Sequence, residues 1–207
     1  LYVRHCGGSC GLLVENPCKN EVKMNFHQDI VAAYKVALQK AVSELFLTGE
    51  SFYYLSLVVD ENGLPPVFSA WSRESFFAAC KQMDDEQALW MKWSYSDSPY
   101  FEFGAVYFAE ANELWQSKGG IDDFITDDWI EELAKRVNSL EKCFAELDAD
   151  GFFSGMVKRT SLMINVETTP PTEEDTQRAQ RLNPPEAIKE WLEEAAKDMR
   201  RLGKTEQ

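Results

Sequence analysis

Carboxylates are the one reactive side chain that this sequence holds in quantity. Thirty-five of its 207 residues are aspartate or glutamate, against 21 lysines and arginines, five cysteines and two histidines. A carboxylate pair can perform acid and base catalysis, but the abundance of these groups singles out no pair. Nucleophilic triads need a base. One histidine, His5, lies in a leader-like N-terminal stretch and the other, His27, falls in the first turn of a predicted helix, where an exposed surface role is expected. A serine or cysteine hydrolase is therefore not indicated, and the catalytic residues of any enzyme remain unknown from the sequence.

Metal and phosphate sites are no better supported. Cys6, Cys10 and Cys18 with His5 make a four-ligand set in number, yet they lack the Cys-x2-Cys knuckle that zinc sites favour. Asp148-Ala149-Asp150-Gly151 opens like a calcium loop, with Glu146, Asp148 and Asp150 at positions one, three and five. Position twelve is Val157, where a bidentate glutamate is required, so a helix exit followed by a turn is the reading. No G-x-G-x-x-G or Walker sequence is present, and neither a metal nor any other cofactor is expected.

Two patterns remain as candidate surfaces. The acidic group Asp122, Asp123, Asp127, Asp128, Glu131 and Glu132 can draw a basic partner; equally, acids at a helix start satisfy free amides and the helix dipole. The second is an aromatic band around Trp90, Trp93, Tyr95 and Tyr100. Trp90 and Trp93 stand at the spacing of a buried helix face, whereas Tyr95 to Tyr100 form an aromatic, polar loop suited to a protein or small-ligand contact. Asp97 lies within that loop, with Arg73 and Glu102 as charged neighbours.

The elements that must position these groups are well signalled. Ile30, Tyr34, Ala37, Leu38, Ala41, Val42 and Leu45 recur at helical spacing, with Asn25 as cap and Gly49 past the end. Phe52 to Val59 is apolar on both faces and reads as a central strand, returning through Asp60 to Gly63 into a partner strand at Val67 to Trp71. Ser72 caps a following helix. A short helix from Asp84, a helix from Ala105 to Lys118 and a long one from Asp128 to Leu147 capped by Asp127 are predicted next. Leu162, Ile164 and Val166 mark a later strand, Thr172 caps a further helix, and Pro184-Pro185 restarts the chain into an amphipathic helix bearing Ile188, Trp191 and Leu192. The expected fold is α+β: a single domain over residues 24–202 with a small, mostly antiparallel sheet of about three to five strands packed by several helices. Residues 1–23 read as a non-native or disordered leader ahead of Met24, and 203–207 as a frayed tail.

A net charge of −14 disfavours nucleic acid and anionic lipid and favours cationic partners. No apolar run approaches the length of a membrane span, no signal-peptide core is present, and a cytoplasmic location is expected. Cys80 and Cys143 are expected to be unbridged.

The run Phe52-Tyr53-Tyr54-Leu55-Ser56-Leu57-Val58-Val59-Asp60, the turn into a second strand and a helix, and then Leu89-Trp90-Met91-Lys92-Trp93-Ser94-Tyr95 resemble a bacterial family described as a domain of unknown function, DUF4303. A downstream strand at Arg159 to Val166 completes the likeness, which spans about residues 24–200. It implies the fold and the compartment and brings no catalytic signature. Small acidic α+β proteins are also similar in general form to the immunity proteins of bacterial toxin systems. The favoured expectation is a non-enzymatic acidic module that binds a basic protein, with a carboxylate- or tyrosine-dependent enzyme, or a ligand-binding protein, using the Trp90 to Tyr100 loop as the alternative. The oligomeric state is not legible.

Overall fold

A computed structural model describes residues 25–81, 83–119 and 126–194. In chain order these form α1 (Phe26–Phe46), β1 (Phe52–Asp60), β2 (Val67–Ser72), α2 (Arg73–Cys80), α3 (Asp85–Met91), a 3-10 turn (Ala105–Phe108), α4 (Ala109–Gln116), α5 (Asp127–Ala149), β3 (Met163–Thr169), α6 (Glu173–Leu182) and α7 (185–194). The protein is one α+β domain. Three strands among the described residues lie in the order β2-β1-β3, so the strand expected to be central is central. The β1–β2 hairpin is antiparallel, with Leu55 opposite Ala70 and Leu57 opposite Phe68. β3 instead runs parallel to β1, with Leu55 opposite Ile164 and Leu57 opposite Val166, which makes the sheet mixed. The reason is the intervening helical crossover, which returns the chain to the same end of the sheet, a course that parallel pairing requires.

Strand alternation gives the two sheet faces different chemistry. Leu55, Leu57 and Val59, with Phe68, Ala70, Ile164 and Val166, face the main core and pack with Ile30, Leu38 and Leu45 of α1 and Leu140, Phe144 and Leu147 of α5. The opposite face carries Tyr54, Ser56 and Val58 in register with Met163, Asn165 and Glu167 on β3. Its far end is closed by a second, smaller core of Tyr53, Tyr54, Trp71 and Met163 with Ala179 and Ile188. Lys92 secures α7 over this core by reaching Glu190 at 2.5 Å and Glu194 at 2.8 Å, while Trp93 Nε1 donates to Glu194.

Helix starts differ from expectation in instructive ways. Thr126 rather than Asp127 caps α5, accepting from the Trp129 amide, and Asp127 is the first helical residue. Asn25 contributes its carbonyl to α1 and makes no side-chain cap. The segment from Ala105 tightens to a 3-10 turn before α4 begins at Ala109, because Gly104 enters at φ +67. Ser72, as expected, accepts from Ser75 N. The expected leader, tail and residues Asp122 and Asp123 lie outside the described residues.

One turn fixes the end of the hairpin. Asp60 Oδ1 accepts from Leu64 N at 2.8 Å, and Gly63 adopts φ +70 so that its carbonyl can take the Trp115 indole N–H, also at 2.8 Å. A Cβ on Gly63 would fall 2.1 Å from Trp129 Cζ2. Gly63→Ala therefore meets both an unfavourable φ and a ring that cannot shift without losing its bond to Glu61 O. Chemical denaturation should report a loss of about 2 kcal/mol for this variant; wild-type stability would show that the turn is not pinned.

Candidate functional site

A cavity opens beside the carboxyl ends of the parallel pair β1 and β3. It is a cleft of about 630 Å³, within the range of small-ligand sites. α5 contributes Ile130, Leu133, Ala134, Val137 and Asn138; the strand ends contribute Asp60, Glu61, Thr168 and Thr169; Pro170, Thr172, Glu174 and Arg178 complete it. These walls exist because α5 presents an apolar stripe toward the sheet while Pro170 and Pro171 lead the chain away from β3 before α6 starts.

Charge around this cleft is unbalanced. Asp60, Glu61, Glu141, Glu174 and Asp175 lie at or against it with Arg178 and Arg181, an excess of three negative charges. Arg181 holds Glu141 through two bonds of 2.7 and 2.9 Å and reaches Glu174 at 2.8 Å. Arg178 is 3% exposed; it donates to Val166 O at 2.6 Å and to Asp175 at 2.8 Å, and its Nε, without a hydrogen-bond partner, faces Glu141 at 3.7 Å. Asp175 also accepts from Thr168 N and Thr172 N at 3.0 and 2.7 Å, which ties the cleft floor to the start of α6. Asp60 and Glu61 have no cationic partner among the described residues.

A second feature lies on the far face of β3. The Glu167 carboxyl accepts a hydrogen bond from Tyr54 Oη, and Ser56 and Asn165 occupy neighbouring positions on the same face. Burial raises its pKa from 4.5 to about 7, the Asp175 charge adds to the rise, and Tyr54, Asn165 and Ser56 oppose it. Burial, and the facing carboxylate, push the Tyr54 phenol well above its ordinary value. Ser56 Oγ and Asn165 Oδ1 are enclosed without a protein partner. A pocket of about 170 Å³, lined by Val58, Val67, Tyr95, Phe101 and Thr169, begins next along this face.

The residues singled out in the sequence disperse. Trp90 is 57% exposed on α3, contrary to its core-like spacing. Trp93 is half-buried, edge-on to Tyr53 and Tyr54. Tyr95 is near Phe101 and gives its carbonyl to Ser69 Oγ; Asp97 is exposed and takes Ser94 Oγ at 2.5 Å. Tyr100 packs edge-on to Phe52, its pKa pushed up to about 12 by burial and by Glu50. Glu102 is exposed at φ +58, and the Arg73 guanidinium stands over the Tyr53 ring. Of these residues, Tyr95 lines the pocket of about 170 Å³ and Glu102 a separate one of about 190 Å³.

In the acidic group, Glu132 is occupied by Lys118 at 3.0 Å, Arg136 at 3.0 Å and His27 at 3.6 Å, and Glu131 by Lys135 at 2.6 Å. His27 is therefore half-buried rather than exposed, and burial lowers its pKa despite Glu132. Asp127 and Asp128 remain exposed. The sequence reading missed the cleft residues, although Thr168-Thr169-Pro170-Pro171-Thr172 between a strand and a helix was a signal for one wall.

With this geometry in view, the sequence profile of DUF4303, a domain of unknown function, matches residues 31–184. The chain belongs to that family. No curated protein and no solved structure matches it. The DUF4303 match covers β1, the cleft and Glu167, and ends as α7 is about to begin.

Because Glu167 holds its proton more tightly when folded, its contribution to stability is full below the ordinary glutamate range and declines as pH rises through about 7. Glu167→Gln keeps an acceptor for Tyr54 and removes this titration. Denaturation between pH 4 and 8 should show wild type losing on the order of 2 kcal/mol relative to the variant. Parallel stability curves would show that Glu167 titrates as it does in the unfolded chain.

Proposed function

We propose that this DUF4303 protein is a binding module for a cationic partner, and that the cleft is where the partner's basic, partly apolar segment docks. The observation that carries this reading is the union of apolar walls from Ile130, Leu133, Val137 and Pro170 with a rim on which Asp60 and Glu61 have no counter-ion among the described residues. Apolar surface supplies affinity, and complementary charge speeds encounter and selects the partner. The α5 acids contribute less than the sequence pattern implies, since Glu131 and Glu132 are already paired. By analogy with small acidic α+β proteins, the partner is a basic protein such as a toxin masked by an immunity protein in the cytoplasm. A carboxylate- or tyrosine-dependent enzyme is the second reading. It is favoured by the Glu167–Tyr54 pair, whose flanking pocket of about 170 Å³ admits only a very small substrate.

Titration with an acetylated, amidated peptide alternating leucine and arginine tests the first reading. Binding should weaken about tenfold between ~50 and ~500 mM salt. Glu61→Lys and Ala134→Arg should each weaken it at least about fivefold, whereas Glu113→Lys, the same charge change on exposed α4, should have less effect. An effect of Glu113→Lys equal to that of Glu61→Lys would reduce the interaction to net charge, and absence of binding would remove the cleft as a cationic site.

A further inference from the structure

We propose that the affinity of the cleft for a cationic segment is controlled by a proton on Glu167, on the opposite face of β3; this rests on the cleft being the docking site. Glu167 and Thr168 are successive strand residues, so their side chains leave opposite faces of the sheet, Glu167 toward Tyr54 and Thr168 toward the cleft. One carboxylate joins the two sides. Asp175 accepts from the Thr168 amide and hydroxyl, from the Thr172 amide and from Arg178, all three of which line the cleft, and its charge also acts on Glu167.

Among the described residues, the groups that face Glu167 leave it as the site able to change charge there near neutrality. β1 supplies Tyr54, whose phenol is pushed well above its ordinary value by burial. α6 supplies Asp175 and its partner Arg178. β2 adds only neutral Ser69 and Val67 in the corresponding rows, and the acids of α7, Glu190 and Glu194, are bound to Lys92. Burial brings the Glu167 carboxyl to about 7. A cation seated in the cleft stabilises the ionised carboxylate across the strand, so binding must expel a proton and tighten as pH rises.

The test is calorimetry of the same capped leucine–arginine peptide against the full chain from pH 6 to 8, in two buffers of different ionisation heat. Its guanidinium groups do not titrate in this window. The expected result is about threefold tighter binding at pH 8 than at pH 6, with fractional proton release centred near pH 7, and a Glu167→Gln variant that binds with pH-independent affinity. Wild-type binding without proton release, or the same pH dependence in Glu167→Gln, overturns the linkage while leaving the docking site intact. The wild-type proton count decides the matter even where the variant folds poorly. Peptide that binds at no pH removes both proposals together.

Discussion

The outer edge of β3 is the constraint around which this fold is organised. Alternate residues of an edge strand turn their amide and carbonyl groups away from the sheet, and each such group left enclosed and unpaired costs about 1–3 kcal/mol. Here side chains near and within α6 take the place of a fourth strand. Asn183 accepts from Ile164 N at 2.8 Å and donates to Ile164 O at 2.6 Å; Arg178 donates to Val166 O; Asp175 accepts from Thr168 N. The edge is thus closed to further pairing. The same contacts fix the register of α6 on β3, and with it the positions of Arg178 and Asp175 at the cleft floor. The polar groups of the site are there because the edge needs them, and the cleft inherits their order.

A central strand buried on both sides need not be apolar on both sides. On the main-core face, Leu55, Leu57 and Val59 meet Phe68, Ile164 and Val166, and hydrophobic burial suffices. On the other face, Ser56 stands between Ser69 and Asn165, all three fully buried. Ser69 donates to the Tyr95 carbonyl and the Trp71 indole to the Ser94 carbonyl, which draws the aromatic loop onto the sheet. This explains why a segment so rich in rings behaves partly as a lid over the hairpin. Glu167 sits on that face as well, where burial first and the Asp175 charge second raise its pKa against the opposing hydrogen bond from Tyr54.

Legibility in the sequence followed the reach of each interaction. α1, the β1–β2 hairpin and the Ser72 cap depend on neighbours within a few residues, and periodicity or turn chemistry exposes them. The parallel placement of β3 depends on how α5 crosses back, which no local pattern encodes. Trp90 illustrates the limit: its spacing with Trp93 is that of a core stripe, yet α3 is only seven residues long and the two rings diverge, one half-buried against Tyr53 and one into solvent. The cleft was invisible for a further reason. Its residues come from four elements, and apart from Asp60 and Glu61 they belong to types that read as ordinary helix and loop. Arg178 becomes notable only once it is found 3% exposed between β3 and α5.

Net charge alone is a poor guide to where an acidic protein meets its partner, because many of its carboxylates are committed internally. Glu132 neutralises the enclosed Arg136, which in turn donates to the Trp115 and Gly119 carbonyls near the end of α4 and stands over the Trp115 ring. Asp148 holds Arg159, Asp150 holds Lys35, and Glu190 with Glu194 holds Lys92. Each of these acids is paired with a cation of the fold, which leaves less of its field to a partner. At the cleft the guanidiniums are tied to Val166, Asp175, Glu141 and Glu174, while Asp60 and Glu61, beside apolar surface, have no cationic partner among the described residues. The composition sets the sign of the protein's field, and the pairing of its cations decides where that field is available.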